Sequence, residues 1–428
     1  MLMEKTMRFA IHTLGCKVNQ YESEKITSNL IGMGWEFVDF AAQPDVFIIN
    51  SCTVTSVASH KSRQLIRRAI KGNSGALVVV AGCYADADRA EIEKIAGVGL
   101  VVGNGQKDRI PRLITAHLGI ALDGNGDKQS IQAGQHGHTR ALVKVQDGCD
   151  NFCTYCIVPY VRGDLWSRPA DDVVAEVRAL ADGGTQEIVL TGIHLGLYGA
   201  GIDTDLGGLL ARLVEVPNLG RIRLSSIELN EVSPQIIELM ATSGKMANHL
   251  HIPLQSGSDA ILKRMNRHYT AEEFIARARE LQEKIENVAI STDIIVGFPG
   301  ETDADFAESL RVVKEVGFSK LHVFKYSLRK GTPAATYDDQ IPGSAKDARS
   351  MALINAGHTF AADFAARYVG KRLSVLIERG VGDRLSGVSD NYVRVYAHGP
   401  REIIGTLADI EIIEQEDTAL YGRLVWKR

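Results

Sequence analysis

Short runs of apolar residues rich in Val and Ile recur along the first hundred positions, at 8–14, 46–50, 76–81 and 100–102. Each is long enough for a strand and too short for a helix. Between them, apolar positions fall three and four apart at 23–33, 57–70, 89–95 and 109–118, which predicts helices with one buried face. Strands alternating with helices predict βαβ units and an open parallel sheet. From 119 to 139 the periodicity fails; five glycines and scattered charge predict a linker. Alternation resumes with strands at 141–146, 187–190, 221–225, 250–252, 289–296 and 320–325, and with helices that include 170–181, 206–214 and 304–316. Six βα steps over about 185 residues suit a partial (β/α)6 barrel better than the complete eight-unit form. A long amphipathic helix follows at 344–369. Period-two alternation at 373–377, 392–396 and 420–426 then predicts a small β-domain. The α/β chain is therefore expected to divide into a sheet domain at 1–120, a linker at 121–140, a barrel domain at 141–370 and a β-domain at 371–428.

A chain of 428 residues exceeds what one core supports, in keeping with that division. The longest apolar run, at 76–82, is a buried strand and far short of a membrane span. Positions 1–8 lack the apolar centre of a signal peptide. A cytoplasmic protein with no membrane partner is expected. The net charge of −4 gives no overall attraction to nucleic acid, so RNA binding must rest on local patches.

Six cysteines change the picture. In a reducing compartment they point to metal or catalysis rather than disulfides. Cys149, Cys153 and Cys156 form a CxxxCxxC loop just after the first barrel strand. Close thiolate spacing lets one loop wrap a single iron–sulfur cube. A zinc knuckle would want a fourth ligand, and no Cys or His stands nearby. Three ligands for four irons leave one iron open, as in radical S-adenosylmethionine (SAM) enzymes, where SAM chelates it. Segments at the ends of later strands are candidates to hold SAM: Thr191, Gly192 and His194, then Gln255, then Gly297 and Gly300. Glycine after a strand is also ordinary turn chemistry, but carboxyl ends of barrel strands are where such barrels place their chemistry. His249 and His251 read as packing or hydrogen-bonding groups.

Cys16, Cys52 and Cys83 are separated by 36 and 31 residues, one βαβ step each. All three follow the end of a predicted strand. The carboxyl edge of an open parallel sheet lines one crevice, so the three thiols should converge as a second cluster site. Three buried structural cysteines are the alternative.

These residues resemble the methylthiotransferase family of radical SAM enzymes over essentially the whole chain. The resemblance is carried by Gly15-Cys16-Lys17-Val18-Asn19-Gln20-Tyr21-Glu22-Ser23, Asn50-Ser51-Cys52-Thr53, Gly82-Cys83-Tyr84, Gly148-Cys149 through Arg162-Gly163, and His251-Ile252-Pro253-Leu254-Gln255-Ser256-Gly257. It implies a three-cysteine amino-terminal domain, a radical SAM barrel and a carboxyl-terminal TRAM-like β-barrel. It also implies two [4Fe–4S] clusters, SAM, a tRNA substrate and an electron donor protein. Within the family, Cys16-Lys17-Val18-Asn19-Gln20 is similar to the branch acting on N6-threonylcarbamoyladenosine at tRNA position 37. The isopentenyladenosine and ribosomal-protein branches usually differ there and remain alternatives, as does a non-catalytic two-cluster electron carrier.

The segment 60–71 carries Lys61, Arg63, Arg67, Arg68 and Lys71 and no acid. At helical spacing this makes a basic face, either merely solvated or in contact with phosphate beside the proposed cluster. The β-domain has nine basic and nine acidic residues. Its Glu411, Glu414, Glu416 and Asp417 would repel RNA unless turned away. His136 and His138 in the linker could ligate metal but read more simply as loop residues.

Overall fold

In the computed structural model, residues 6–120 and 139–426 are described. The linker at 121–138, with His136 and His138, lies outside them. The amino-terminal unit is a five-stranded parallel sheet. Its strands, in spatial order, are Glu36–Phe37, Arg8–Thr13, Val46–Ser51, Leu77–Gly82 and Leu100–Val102. Val46–Ser51 and Leu77–Gly82 are buried along their whole length, which is why their sequences run apolar without alternation. Helices on both faces, among them Lys17–Gly32 and Ser56–Gly72, make the sheet doubly wound. The chain order reverses between Arg8–Thr13 and Val46–Ser51, so the crevice at the carboxyl edge opens there.

The barrel unit has six parallel strands: Arg140–Lys144, Glu187–Thr191, Arg221–Leu224, His249–His251, Ala289–Val296 and Lys320–Lys325. Two three-stranded sheets join through the bridges Ile222–Met246 and Ser226–His251, giving an open partial barrel in chain order. Outer helices start where the sequence offers caps. Thr270 with Glu273, and Thr302 with Asp305, close capping boxes that satisfy free amides at the first turns. Alternate strand residues such as Ile290, Ile294 and Val296 pack under these helices, leaving His249, His251, Ser291 and Asp293 toward the lumen.

Helix Gly343–Ala366 lies along Lys320–Lys325 and leads into a closed five-stranded β-barrel. Its strands are Arg372–Val381, Arg384–Ser389, Arg394–His398, Leu407–Glu416 and Ala419–Leu424, as expected for a TRAM-like unit. This unit is bolted to the first turns of the barrel strands. Buried Glu187 pairs with Arg221 (3.1 Å) and Arg223 (2.8 Å), whose remaining donors go to the carbonyls of Ser374, Ser389 and Asp390. Tyr392 stacks on His249 with ring centroids 4.6 Å apart.

Several elements depart from expectation. The first helix begins at Lys17, six residues early, with Cys16 at its cap and no side chain closing it. Strands Glu36–Phe37, Arg384–Ser389 and Leu407–Glu416 were not expected. The first is two residues long, the second carries Gly387, where a Cβ would lie 2.1 Å from the Leu376 carbonyl, and the third exposes acids on its outer face. Glu411 of this strand pairs with Arg423, and Asp417 just past its end with His358, each at 2.7 Å, which removes part of the expected repulsion.

Candidate active site

The three amino-terminal thiols stand at one edge of the sheet. Cys16 follows Arg8–Thr13, Cys52 follows Val46–Ser51, and Cys83 opens the short helix after Leu77–Gly82. Two glycines let the loops close on one another. Gly15 has φ +102°, and a Cβ there would lie 2.8 Å from Cys52 Sγ; Gly82 has φ +96°, and a Cβ would lie 2.4 Å from the Ser51 carbonyl. Asn19 Nδ2 donates to the carbonyls of Leu14 (2.8 Å) and Ser51 (3.1 Å), clamping the first loop to the second. Burial pushes the Cys52 thiol up, with Cys83 and Cys16 close enough to add to it. Cys52 and Cys83 are buried and Cys16 is exposed, so the trio opens outward on the Cys16 side.

Cys149, Cys153 and Cys156 occupy the loop between Gln146–Asp147 and helix Val158–Arg162. Other elements hold this loop from outside: Thr154 N–H donates to the Met265 carbonyl (3.0 Å), and Asn266 Nδ2 donates to the Asn151 carbonyl (2.9 Å). Cys149 Sγ lies 3.4 Å from His194 Nδ1, and His194 Nε2 lies 2.5 Å from Glu231. Arg267, itself paired with Glu228, comes within 3.5 Å of Cys153 Sγ. Burial pushes the Cys156 thiol up to about 12, with Cys153 and Cys149 adding to it. Thiols so placed ionise when a metal supplies positive charge. Three thiol donors on one loop, with no fourth cysteine joining the set among the described residues, fit an iron–sulfur cluster with one open iron better than a closed four-ligand zinc site.

The SAM candidates gather at the carboxyl ends of the barrel strands, with the cysteine loop. Thr191 ends its strand, and its carbonyl accepts from Val145 N–H. His194 is drawn to Cys149 rather than left free for a ligand. Gln255 has φ +63° and bridges the backbone of Asp293 and Ile295. The glycines were expected to leave room for adenine and ribose. The side where Gly297 lacks a Cβ is filled by the Lys346 side chain, and that of Gly300 by Asp339 and Arg264. Glu301 fixes this turn by accepting from Gly297 N–H (2.6 Å) and from Arg349. In the lumen, His251 (3.0 Å) and His322 (3.1 Å) both bond Asp293, whose carboxyl they hold at about 2 against burial.

The two thiol sets lie on facing units. Cys83 packs on Ile157 and Val161, just beyond Cys156. Asn104 Nδ2 spans from near Cys83 Sγ (3.6 Å) to the Val161 carbonyl (2.7 Å). The interface is organised by a buried carboxylate. Glu22 accepts from Lys107 (2.5 Å) on its own unit, and from Lys144 (2.7 Å) and Arg162 (3.0 Å) of the barrel. Burial would raise this carboxyl; Lys107, Arg162 and Lys144 outweigh it and hold it at about 2. Asp147 supplies a second acid to Lys144 and Arg162. Sequence reading quoted Glu22 and Arg162 within motifs but gave them no role.

The basic segment forms helix Ser56–Gly72, on the unit that carries the amino-terminal thiols. Lys61, Arg67, Arg68 and Lys71 are exposed, Arg68 against the Phe40 ring. Arg63 instead turns inward to bond the Tyr84 hydroxyl (3.2 Å).

Comparison with known proteins agrees with this architecture. The Radical SAM superfamily pattern matches residues 143–313, and that of the uncharacterized protein family UPF0004 matches residues 8–103. The barrel and its cysteine loop thus place the chain among radical SAM enzymes. Threonylcarbamoyladenosine tRNA methylthiotransferase MtaB of Bacillus subtilis (strain 168) is 41% identical over 95% of this chain and 93% of its own. The MtaB of Chlamydia pneumoniae is 34% identical over 97% and 98%. The tRNA-2-methylthio-N(6)-dimethylallyladenosine synthase of Maricaulis maris (strain MCS10) is 37% identical over 97% of each. The chain belongs to the radical SAM tRNA methylthiotransferase family and is a tRNA-modifying enzyme, which sets aside a pure electron carrier. Membership implies one [4Fe–4S] cluster and SAM. Among solved structures, the radical SAM methyltransferase TsrM of Kitasatospora setae superposes with a TM-score of 0.57 at 16% identity, over 77% of this chain and 74% of that one. That likeness speaks to fold alone. No described helix is long and apolar enough to cross a membrane.

Glu22→Gln removes the carboxylate that Lys107, Lys144 and Arg162 share. Breaking a buried ion cluster this way should cost about 3 kcal/mol or more at pH 7, read by denaturant unfolding against the wild type. Because the folded-state pKa is depressed, the Glu22 contribution is complete above the ordinary carboxyl value of about 4.3 and lost as pH falls toward 2. The gap between the two proteins should narrow over that window.

Proposed function

We propose that this enzyme transfers a methylthio group to C2 of N6-threonylcarbamoyladenosine at position 37 of tRNA. The observation that carries the substrate is the 41% identity, over nearly the full length of both chains, to a relative of that name. Cys149, Cys153 and Cys156 are the residues we assign to the cluster that works with SAM. Thr191, Gly192, His194, Gln255, Gly297 and Gly300 are assigned to the surroundings of SAM. Cys16, Cys52 and Cys83 are assigned to a second [4Fe–4S] cluster, whose open side would carry the sulfur to be transferred. What the barrel cluster supplies with SAM is one-electron chemistry able to take hydrogen from an unactivated aromatic carbon; an electron donor protein is required to prime it.

The protein's own contribution is placement. His194, braced by Glu231, fixes Cys149, and Arg267, braced by Glu228, sets positive charge beside Cys153. His194 and Arg267 are each held by a partner of their own, so neither needs to reorganise when metal binds. Glu22 and its three cations hold the sulfur-carrying edge over the barrel mouth, so a base between the units could meet both sites. The exposed cations Lys61, Arg67, Arg68 and Lys71 are assigned to tRNA phosphates, which position the RNA without reading its sequence. Arg63 is assigned a supporting role against Tyr84.

Cys149→Ala should abolish 5′-deoxyadenosine release while retaining iron at the amino-terminal trio. Cys52→Ala should do the reverse, losing about half the iron and all thiomethylation while SAM cleavage largely persists. Native iron content in the Cys52→Ala protein would remove the second site.

The substrate is tested by turnover on tRNA bearing threonylcarbamoyladenosine against the same tRNA bearing dimethylallyladenosine, where equal rates would defeat the assignment. Nucleosides from a strain lacking the gene should lose only the methylthio derivative of threonylcarbamoyladenosine. Neutralising Arg67 and Arg68 should weaken all tRNAs alike and reduce the slope of log affinity against log salt by about 2. An unchanged slope would take the helix out of the interface.

A further inference from the structure

A cavity of about 230 Å³ lies where all three units meet, with Lys17, the residue after Cys16, in its wall. The amino-terminal helix contributes Lys17, Gln20 and Glu24 from its first turns; the β-barrel contributes Glu378, Arg379, Tyr392 and Arg394. Between them, Arg140, Leu142 and Val189 come from the first two strands of the radical SAM barrel. Those strands run on to Lys144 and Thr191, so the floor of the cavity is the inner wall leading up to the proposed chemistry.

Charge in this cavity is unbalanced. Arg140 and Arg394 share one acid, Glu378, each at 2.8 Å. Lys17 and Arg379 have no ion-pair partner among the described residues, although both line the same space. Glu24 offsets them only in part: burial disfavours its charge and pushes its carboxyl up to about 7. The field reaches neighbours, since Tyr392 is pulled below its ordinary value against burial by Arg140, Lys17 and Arg223. Uncompensated cations around a concave site beside small apolar wall residues call for an anion carried on a small organic group.

We propose that this cavity receives the N6-substituent of the target adenosine, with Lys17 and Arg379 holding its terminal carboxylate. The inference rests on the substrate reading above. A threonylcarbamoyl group ends in a carboxylate, whereas a dimethylallyl group is hydrocarbon throughout. In this cavity the hydrocarbon would leave Lys17 and Arg379 without a counter-charge, so the site selects by penalty as well as by attraction. Lys17 and Arg379 are therefore specificity residues, distinct from the groups that cleave SAM.

The test is affinity and turnover on one tRNA in three forms: threonylcarbamoyladenosine at position 37, its carboxamide analogue with the carboxylate blocked, and unmodified adenosine. The wild type should lose about tenfold or more in affinity on blocking the carboxylate. Lys17→Gln and Arg379→Gln should each erase most of that difference. Arg379→Gln, on the β-barrel and remote in sequence from every cysteine, carries the test if Lys17→Gln disturbs the neighbouring thiol. A wild type indifferent to the blocked carboxylate overturns the inference. If that wild type nevertheless turns over only threonylcarbamoyl tRNA, the substrate reading stands without it. A wild type that discriminates, with variants that discriminate equally, also overturns it. Variants that weaken all three tRNAs by one factor would reassign the cations to backbone phosphate and overturn it as well.

Discussion

A buried carboxylate surrounded by three cations is costly to assemble, and the relation between the two thiol sites depends on it. Removing Glu22, Lys107, Lys144 and Arg162 from water costs several kcal/mol per ion, recovered only if geometry and hydrogen bonds are close to complete. Both Glu22 oxygens are engaged, and its carboxyl is held far below the usual range. Two of the cations come from the barrel, one of them from the helix that follows the cysteine loop. The cluster therefore has good geometry only when the sheet domain sits in one orientation on the barrel. An apolar patch of similar area could have slid; paired charges with fixed directions do not.

This lock brings two carboxyl edges face to face. In a parallel sheet and in a (β/α) barrel alike, strand ends at that edge gather ligands, because loops there are free to vary while strands fix their roots. Usually one such edge faces solvent. Here Cys83 of one edge packs on Ile157 and Val161 beyond the cysteine loop of the other. The opposite end of the lumen is closed by the β-barrel through Glu187, Arg221, Arg223 and Tyr392. Surplus positive charge at the interface, three cations against Glu22 and Asp147, also lies near the Cys83 and Cys16 thiols.

Much of this was legible in the chain. Val46–Ser51 and Leu77–Gly82 are apolar because both faces are covered, and one βαβ step between successive cysteines was enough to place three thiols at one edge. What escaped was set by contacts distant in sequence. Glu22 and Arg162 are 140 positions apart, and nothing local marks them as partners. Arg63 shares the composition of its basic neighbours, yet Tyr84 turns it inward. Gly297 and Gly300 suggested space for a ligand, and Lys346, Asp339 and Arg264 fill it from segments 39 to 49 residues further on or well before. Strand Leu407–Glu416 hid because its outer face is acidic, a feature of what it faces rather than of its backbone.

The relatives act, by their names, on adenosines with quite different N6-groups, while sharing one architecture over nearly their whole length. A radical taken from SAM has little intrinsic selectivity among similar C–H bonds, so selection has to be made by binding before the chemistry starts. The buried groups that hold thiols and lock the domains are poor places for it, because each has several partners and a change there would cost stability. The seam where three units meet is better suited. There Lys17, Gln20 and Arg379 are exposed, and Lys17 and Arg379 have no ion-pair partner among the described residues. On the proposed reading, variation there would alter which base is held while leaving the buried groups that hold the thiols untouched, and such a separation would let one fold serve more than one modified nucleoside.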